Sequence, residues 1–143
     1  MIYTPLTKKA MKLCYEAHKN QKDKGGMPYV FHPLHLAEQM TTEETAIAAL
    51  LHDVVEDTEI TLDDITEMGF PSSVIDALAL LTHKESVQYM DYVAKIKSNP
   101  IALAVKLADL RHNSDLTRLN CVDECALERV KKYHAAIELL EQK

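Results

Sequence analysis

Apolar residues recur along this chain at three- and four-residue intervals and nowhere alternate for long, so the pattern predicts helices and no strands. Thr4-Pro5 joins a capping residue to a proline suited to a first turn. A helix should run from there to about Asn20, with Leu6, Ala10, Leu13, Cys14 and Ala17 turned inward. His18 continues that face and reads as a packed histidine. Residues 21–29, QKDKGGMPY, form a loop broken by Gly25-Gly26 and Pro28. Pro33 opens a short helix, Leu34 to Met40, and restricts His32 to an extended backbone. Thr41 and Glu44 have capping-box spacing for a helix that reaches about Val55. Thr61 caps a short helix that Gly69 ends. Pro71-Ser72 begins the next, striped by Val74, Ile75, Leu78 and Leu81, and Ser86 begins one that passes Tyr92 to about Lys97. Asn99-Pro100 opens a helix from Ile101 to about Leu116. The last runs from about Asp123 to Leu140, with Ala126, Val130, Tyr133, Ile137 and Leu140 inward. With no repeat, linker or low-complexity segment, the expectation is one all-α domain over residues 1–143.

Composition narrows the class. A chain of 143 residues can bury enough surface to fold without disulfides. The net charge of −6 argues against a binder of nucleic-acid polymers, which needs a basic face. No apolar run approaches the ~20 residues of a membrane span. Three cysteines and no signal peptide suggest a reducing cytoplasm. Cys14, Cys121 and Cys125 are expected to be buried core thiols rather than ligands.

The chemistry concentrates in LLHDVVEDT, Leu50 to Thr58. On a helix His52 neighbours Glu56, and Asp53 neighbours both Glu56 and Asp57, at about 5–6 Å between β-carbons. Three crowded carboxylates beside an imidazole, directly after core-like sequence, repel one another unless a divalent metal offsets them. The plain alternative is a helix end with solvated acids. His32 sits at a stiff junction before Pro33, which suits a ligand; His35 lies three residues on. Asp109 stands among Leu107, Ala108 and Leu110, where a carboxylate costs several kcal/mol unless paired or metal-bound. Asn113 follows one turn later on the same face, and Lys106 precedes it by nearly a turn.

Taken in order, His32, His52-Asp53 and Asp109 resemble the signature of the HD superfamily of metal-dependent phosphohydrolases. PYVFHP, LLHDVVEDT and KLADLRHN, between about Ala17 and Leu119, are similar to the hydrolase domain of the Rel/Spo alarmone enzymes and to stand-alone small alarmone hydrolases. The resemblance implies a helical HD fold with the metal site in the bundle core. It implies His32, His52, Asp53 and Asp109 as ligands of one Mn²⁺, with other divalent transition metals as substitutes. It further implies Glu56 and Asp57 as the acids that position and activate water, and Asn113 near the nucleotide. The reaction implied is removal of 3′-pyrophosphate from guanosine 3′,5′-bis(diphosphate), and no synthetase domain is expected. Two imidazoles and two carboxylates leave positions on a six-coordinate ion for water and a phosphate oxygen, and a nearby carboxylate can take the water's proton.

The chain departs from the family pattern in the loop. The family's basic pair before Gly-x-Pro-Tyr becomes Asp23-Lys24, so the arginine that lies against guanine is an acid here, while Lys24 is kept. Asn20 also replaces a common glycine. Positive charge for phosphates must then come from the metal, Lys24, Lys106, Arg111 or Arg118, and restoring arginine at position 23 is expected to tighten alarmone binding. Three functions remain open: an alarmone hydrolase, an HD phosphatase for another nucleotide or dinucleotide cofactor, and an idle HD ligand-binding module. The intact Glu56-Asp57 pair argues against the last. A small nucleotide is the expected partner, and a homo-oligomer is compatible with the sequence.

Overall fold

The computed structural model describes all residues, 1–143, and is helical throughout. Nine α-helices follow in order: α1 Pro5–His18, α2 Phe31–Glu38, α3 Glu43–Leu51, α4 Val54–Asp57, α5 Leu62–Glu67, α6 Ser72–Leu81, α7 Tyr89–Ile96, α8 Pro100–Asn113 and α9 Glu124–Glu141. A 3₁₀ turn, Leu116–Arg118, joins the last two.

α3 is the centre. Every residue from Ala46 to Leu51 is buried, because the helix is apolar on all sides and packs against α1, α2, α6 and α8 together. The small side chains of Ala46, Ala48 and Ala49 allow the close approach, while Ile47, Leu50 and Leu51 fill the space between neighbours. Truncating Leu51 to alanine should cost about 2–5 kcal/mol.

Local chemistry sets the helix ends. Thr4 and Thr7 cap α1 reciprocally, Thr61 and Asp64 cap α5, and Asn99 accepts from the amide of Ala102 at the start of α8. Gly69 closes α5 at φ +93°, a left-handed conformation that glycine adopts without strain.

Several boundaries differ from the sequence reading. α2 starts at Phe31, so His32 is helical rather than extended. Pro33 lies in the first turn, where its missing N–H has no intrahelical partner to lose. Thr42, not Thr41, caps α3, with Thr45 as the reciprocal partner. That helix stops at Leu51, and His52 and Asp53 occupy a turn before α4. α7 begins at Tyr89 rather than Ser86, and α8 ends at Asn113 rather than Leu116. Cys14 is buried as expected, but Cys121 and Cys125 are exposed, one in the α8–α9 connection and the other on the outer side of the first turn of α9. No helix is long and apolar enough to cross a membrane.

Candidate metal centre and adjoining cavities

Four side chains from three parts of the chain converge beside α3. His32 comes from α2, His52 and Asp53 from the break between α3 and α4, and Asp109 from α8. One ligand atom from each lies within 4.8 Å of the others. His32 Nε2 is 2.9 Å from Asp109 Oδ1, and His52 Nε2 is 3.0 Å from Asp53 Oδ2 and 3.5 Å from Asp109 Oδ1. The break after Leu51 is what makes this geometry. With Asp53 at φ −100° and ψ −4°, consecutive residues can send both side chains to one point, which a continuous helix would fan apart by nearly a third of a turn.

The donor set fits a divalent ion. His52 Nδ1 lies 2.6 Å from the carbonyl oxygen of Ala49, which can only accept, so Nδ1 carries a proton and Nε2 is the nitrogen left to ligate. That Nε2 is buried and makes no aligned hydrogen bond, although two carboxylates stand close by. A buried ring nitrogen with no partner of its own, directed between carboxylates, is what a metal ligand requires once its proton is displaced. Burial by itself would lower the His52 pKa, but Asp53 and Asp109 raise it well above its ordinary value in the metal-free protein.

The carboxylates are held ionised. Burial would push Asp109 up, but the Lys106 ammonium, 3.0 Å from Oδ2, together with His32 and His52, holds it well below the usual range. Asn113 Nδ2 donates to Asp109 Oδ1 at 3.0 Å. Burial would likewise raise Asp53, and the charge of His52 outweighs it; the hydroxyl of Tyr29 donates to Asp53 Oδ2.

A cavity of about 320 Å³ opens from the cluster and is lined by Glu56, Asp57, Lys106, Asn113 and, from α9, Lys132. The two acids differ. Glu56 accepts the backbone N–H of His83, whereas the Asp57 carboxylate has no hydrogen-bond partner. Partial burial, then the charges of Asp53 and Glu56, raise Asp57 to about 6. Tyrosines 89, 92 and 133 wall the far side, with Lys106 5.3 Å from the ring centre of Tyr92 and Lys132 4.5 Å from that of Tyr89.

A second cavity, of about 340 Å³, shares Tyr29, Asn113 and Tyr133 with the first. Lys24 lies here, away from the metal cluster, with Lys22, Arg118 and Arg129. Asp23 also lines it, but its carboxylate is committed. Oδ1 accepts from the amides of Gly25 and Met27 at 2.9 Å, and Oδ2 is 3.4 Å from Arg118. Arg118 in turn donates to Asn113 Oδ1 at 3.2 Å. The loop packs so closely on this segment that a β-carbon at Gly25 would lie 2.1 Å from the carbonyl oxygen of Arg118. His18 is buried against Tyr29 with Gln21 as its partner, and is no member of the cluster.

Sequence reasoning did not single out His112, Tyr29, Lys132 or Arg129. Of these only His112, one turn beyond Asp109, had a usable spacing signal. Its Nδ1 is 2.7 Å from His32 Nδ1. Burial, then the charge of Arg118, lowers its pKa to about 4, so it is neutral near pH 7.

Comparison with known proteins agrees with this geometry. The HD domain family model matches residues 10–100. The chain is 33% identical over 117 residues to a guanosine-3′,5′-bis(diphosphate) 3′-pyrophosphohydrolase of Aquifex aeolicus, covering 73% of this chain and 17% of that one. It is 34% identical over 147 residues to a GTP pyrophosphokinase of Streptomyces coelicolor, covering 93% and 16%. It is 31% identical over 122 residues to the bifunctional (p)ppGpp synthase/hydrolase SpoT of Escherichia coli, covering 74% and 17%. The chain thus spans about a sixth of the length of these relatives. A solved structure of a metazoan SpoT ortholog, described as hydrolysing ppGpp, superposes with a TM-score of 0.78 over 99% of this chain and 88% of that one, at 22% identity. At that identity the likeness is one of fold.

Proposed function

Because the chain belongs to the HD domain family, we propose that it is a Mn²⁺-dependent phosphohydrolase that removes pyrophosphate from the 3′ position of guanosine 3′,5′-bis(diphosphate)-type alarmones. The observation that carries this reading is the pair of cavities joined at Tyr29, Asn113 and Tyr133, one at the metal cluster and one lined by Lys24 and Arg118. A substrate with a reacting diphosphate at one end and a nucleoside at the other fits such a divided space. The relatives named for (p)ppGpp hydrolysis support it.

His32, His52, Asp53 and Asp109 hold the ion. Mixed imidazole and carboxylate donors suit Mn²⁺ among several divalent metals. When bound, the ion lowers the pKa of water and polarises the phosphoryl group. Asp57 is the general base: its carboxylate is free, and its raised pKa brings it nearer the working range of a base. Glu56, tied to the amide of His83, orients rather than accepts. Lys106 and Lys132 offset charge on the departing pyrophosphate, and Asn113 sits between the reacting end and the nucleoside. Water adds to phosphorus as Asp57 takes its proton, the bond from phosphorus to the 3′ oxygen breaks, that oxygen takes up a proton to become a hydroxyl, and pyrophosphate leaves a nucleoside 5′-diphosphate. The three unpaired thiols suit a reducing cytoplasm.

A second reading, an HD phosphatase for another nucleotide, is favoured by one observation: the committed Asp23 carboxylate offers nothing for guanine to stack on. The test is product analysis with Mn²⁺ on guanosine tetraphosphate, GTP and a nucleoside 3′-monophosphate. Pyrophosphate and GDP from the first alone support the alarmone; orthophosphate from the others with no pyrophosphate sinks it.

A further inference from the structure

The two histidines at the centre are oriented by different kinds of partner. His52 Nδ1 meets a carbonyl oxygen, which fixes its tautomer whether or not metal is bound. His32 Nδ1 meets another imidazole. His32 and His112 lie within 4° of coplanar with centroids 5.0 Å apart and Nδ1 atoms 2.7 Å apart, so the rings meet nitrogen to nitrogen in one plane rather than stacking. One proton lies between those nitrogens, and either ring can own it. The face of His112 is covered by His35, one turn beyond His32 on α2, at 4.1 Å between centroids.

We propose that His112 is a positioning residue that holds His32 in the plane and tautomer needed to ligate a metal. The proposal rests on the metal assignment above. To offer Nε2 to an ion, His32 carries its proton on Nδ1 and donates that N–H to Nδ1 of His112, which then carries its own proton on Nε2. No charge is created on either ring. A carboxylate here would draw His32 towards the cation. An outer-shell partner of a ligating histidine typically contributes 10–100-fold in metal affinity. His35, packed on the open face, keeps His112 from rotating out of plane.

The test is Mn²⁺ affinity, measured by calorimetry on the full chain, for His112→Asn, His112→Phe and His112→Ala, with thermal melts of the metal-free proteins. Asparagine places Oδ1 close to where Nδ1 was and can accept, so H112N should bind Mn²⁺ within a few-fold of the wild type. H112F and H112A should bind about 10–100-fold more weakly, with no matching loss in melting temperature. If phenylalanine prevents folding, the Ala–Asn comparison carries the same information. Equal affinity in all variants, or H112N as weak as H112A, overturns the proposal. A separate loss of all metal binding in His52→Ala tells whether the underlying metal assignment stands.

Discussion

Lys106 sets its ammonium 3.0 Å from Oδ2 of Asp109, three residues on along α8, with both side chains largely shut away from solvent. The other oxygen of that carboxylate faces His32, His52 and Asn113. Lys106 therefore keeps one oxygen neutralised while the other faces the metal position. Removing one member of a buried pair strands the other. Lys106→Met should cost the metal-free protein about 3 kcal/mol in urea unfolding and should also reduce turnover. A loss under ~1 kcal/mol would mean the pair is better solvated than its surroundings imply.

Asp109→Ala and His52→Ala should each abolish stoichiometric Mn²⁺. Elemental analysis showing full occupancy in both would remove them from the ligand set. In the wild type, metal binding must displace the proton that Asp53 and Asp109 hold on His52. Mn²⁺ affinity should therefore strengthen as pH rises through the neutral range, and calorimetry in two buffers of different ionisation enthalpy should detect proton release. Binding heats that do not depend on the buffer would contradict it.

Asp57→Asn should retain metal and lose about 10²–10⁴-fold in kcat; a near-normal rate would shift the base elsewhere. The same substitution makes a prediction about stability. The Asp57 pKa is raised from 3.8 to about 6 in the folded metal-free protein. Its contribution is thus fully present below about 3.8 and is lost as pH rises through about 6. At pH 7–8 Asp57→Asn should be the more stable protein, by up to about 1 kcal/mol given the solvent screening of an exposed group. That advantage should shrink across pH 6 to 4. A difference that is flat with pH would show that the crowding of Asp53 and Glu56 is not felt at Asp57.

Asp23→Arg is now expected to weaken substrate binding rather than tighten it. The sequence alone presents Asp23 as an acid standing in for an arginine against the base. In the fold it holds the loop through two amides and pairs with Arg118. An arginine there loses those acceptors and faces a like charge. KM for guanosine tetraphosphate should rise several-fold, and Asp23→Asn, which keeps an acceptor, should change it less. A lower KM in Asp23→Arg would restore the base-contact reading.

The helical class and the core faces were readable because 3–4 periodicity survives wherever one side of a helix meets the interior. Asp109 was conspicuous because a carboxylate among Leu107, Ala108 and Leu110 needs a partner. The break at His52-Asp53 was not readable: LLHDVVED has good helical periodicity and no proline or glycine, and only packing turns it. The α2 start was missed because preference before proline is a bias that the first helical turn overrides. His112 was passed over because its one-turn spacing from Asp109 gains meaning only when the opposing α2 brings His32 to it. Cys121 and Cys125 misled because their composition suggested a core, while the face of α9 that meets the interior runs through Ala126, Ala136 and Leu140 instead.

The interruption between α3 and α4 also divides neighbouring polar residues between two mechanical settings. His52 and Asp53 are anchored to the most deeply interior helix, where almost any replacement would disturb packing on several sides. Glu56 and Asp57 ride on a single short turn whose side chains face open space. Substitutions at those two positions disturb far less packing than substitutions at Leu50 or Leu51. The His52-Asp53 dipeptide therefore joins a rigid support to a short segment whose side chains can be exchanged at little cost in stability.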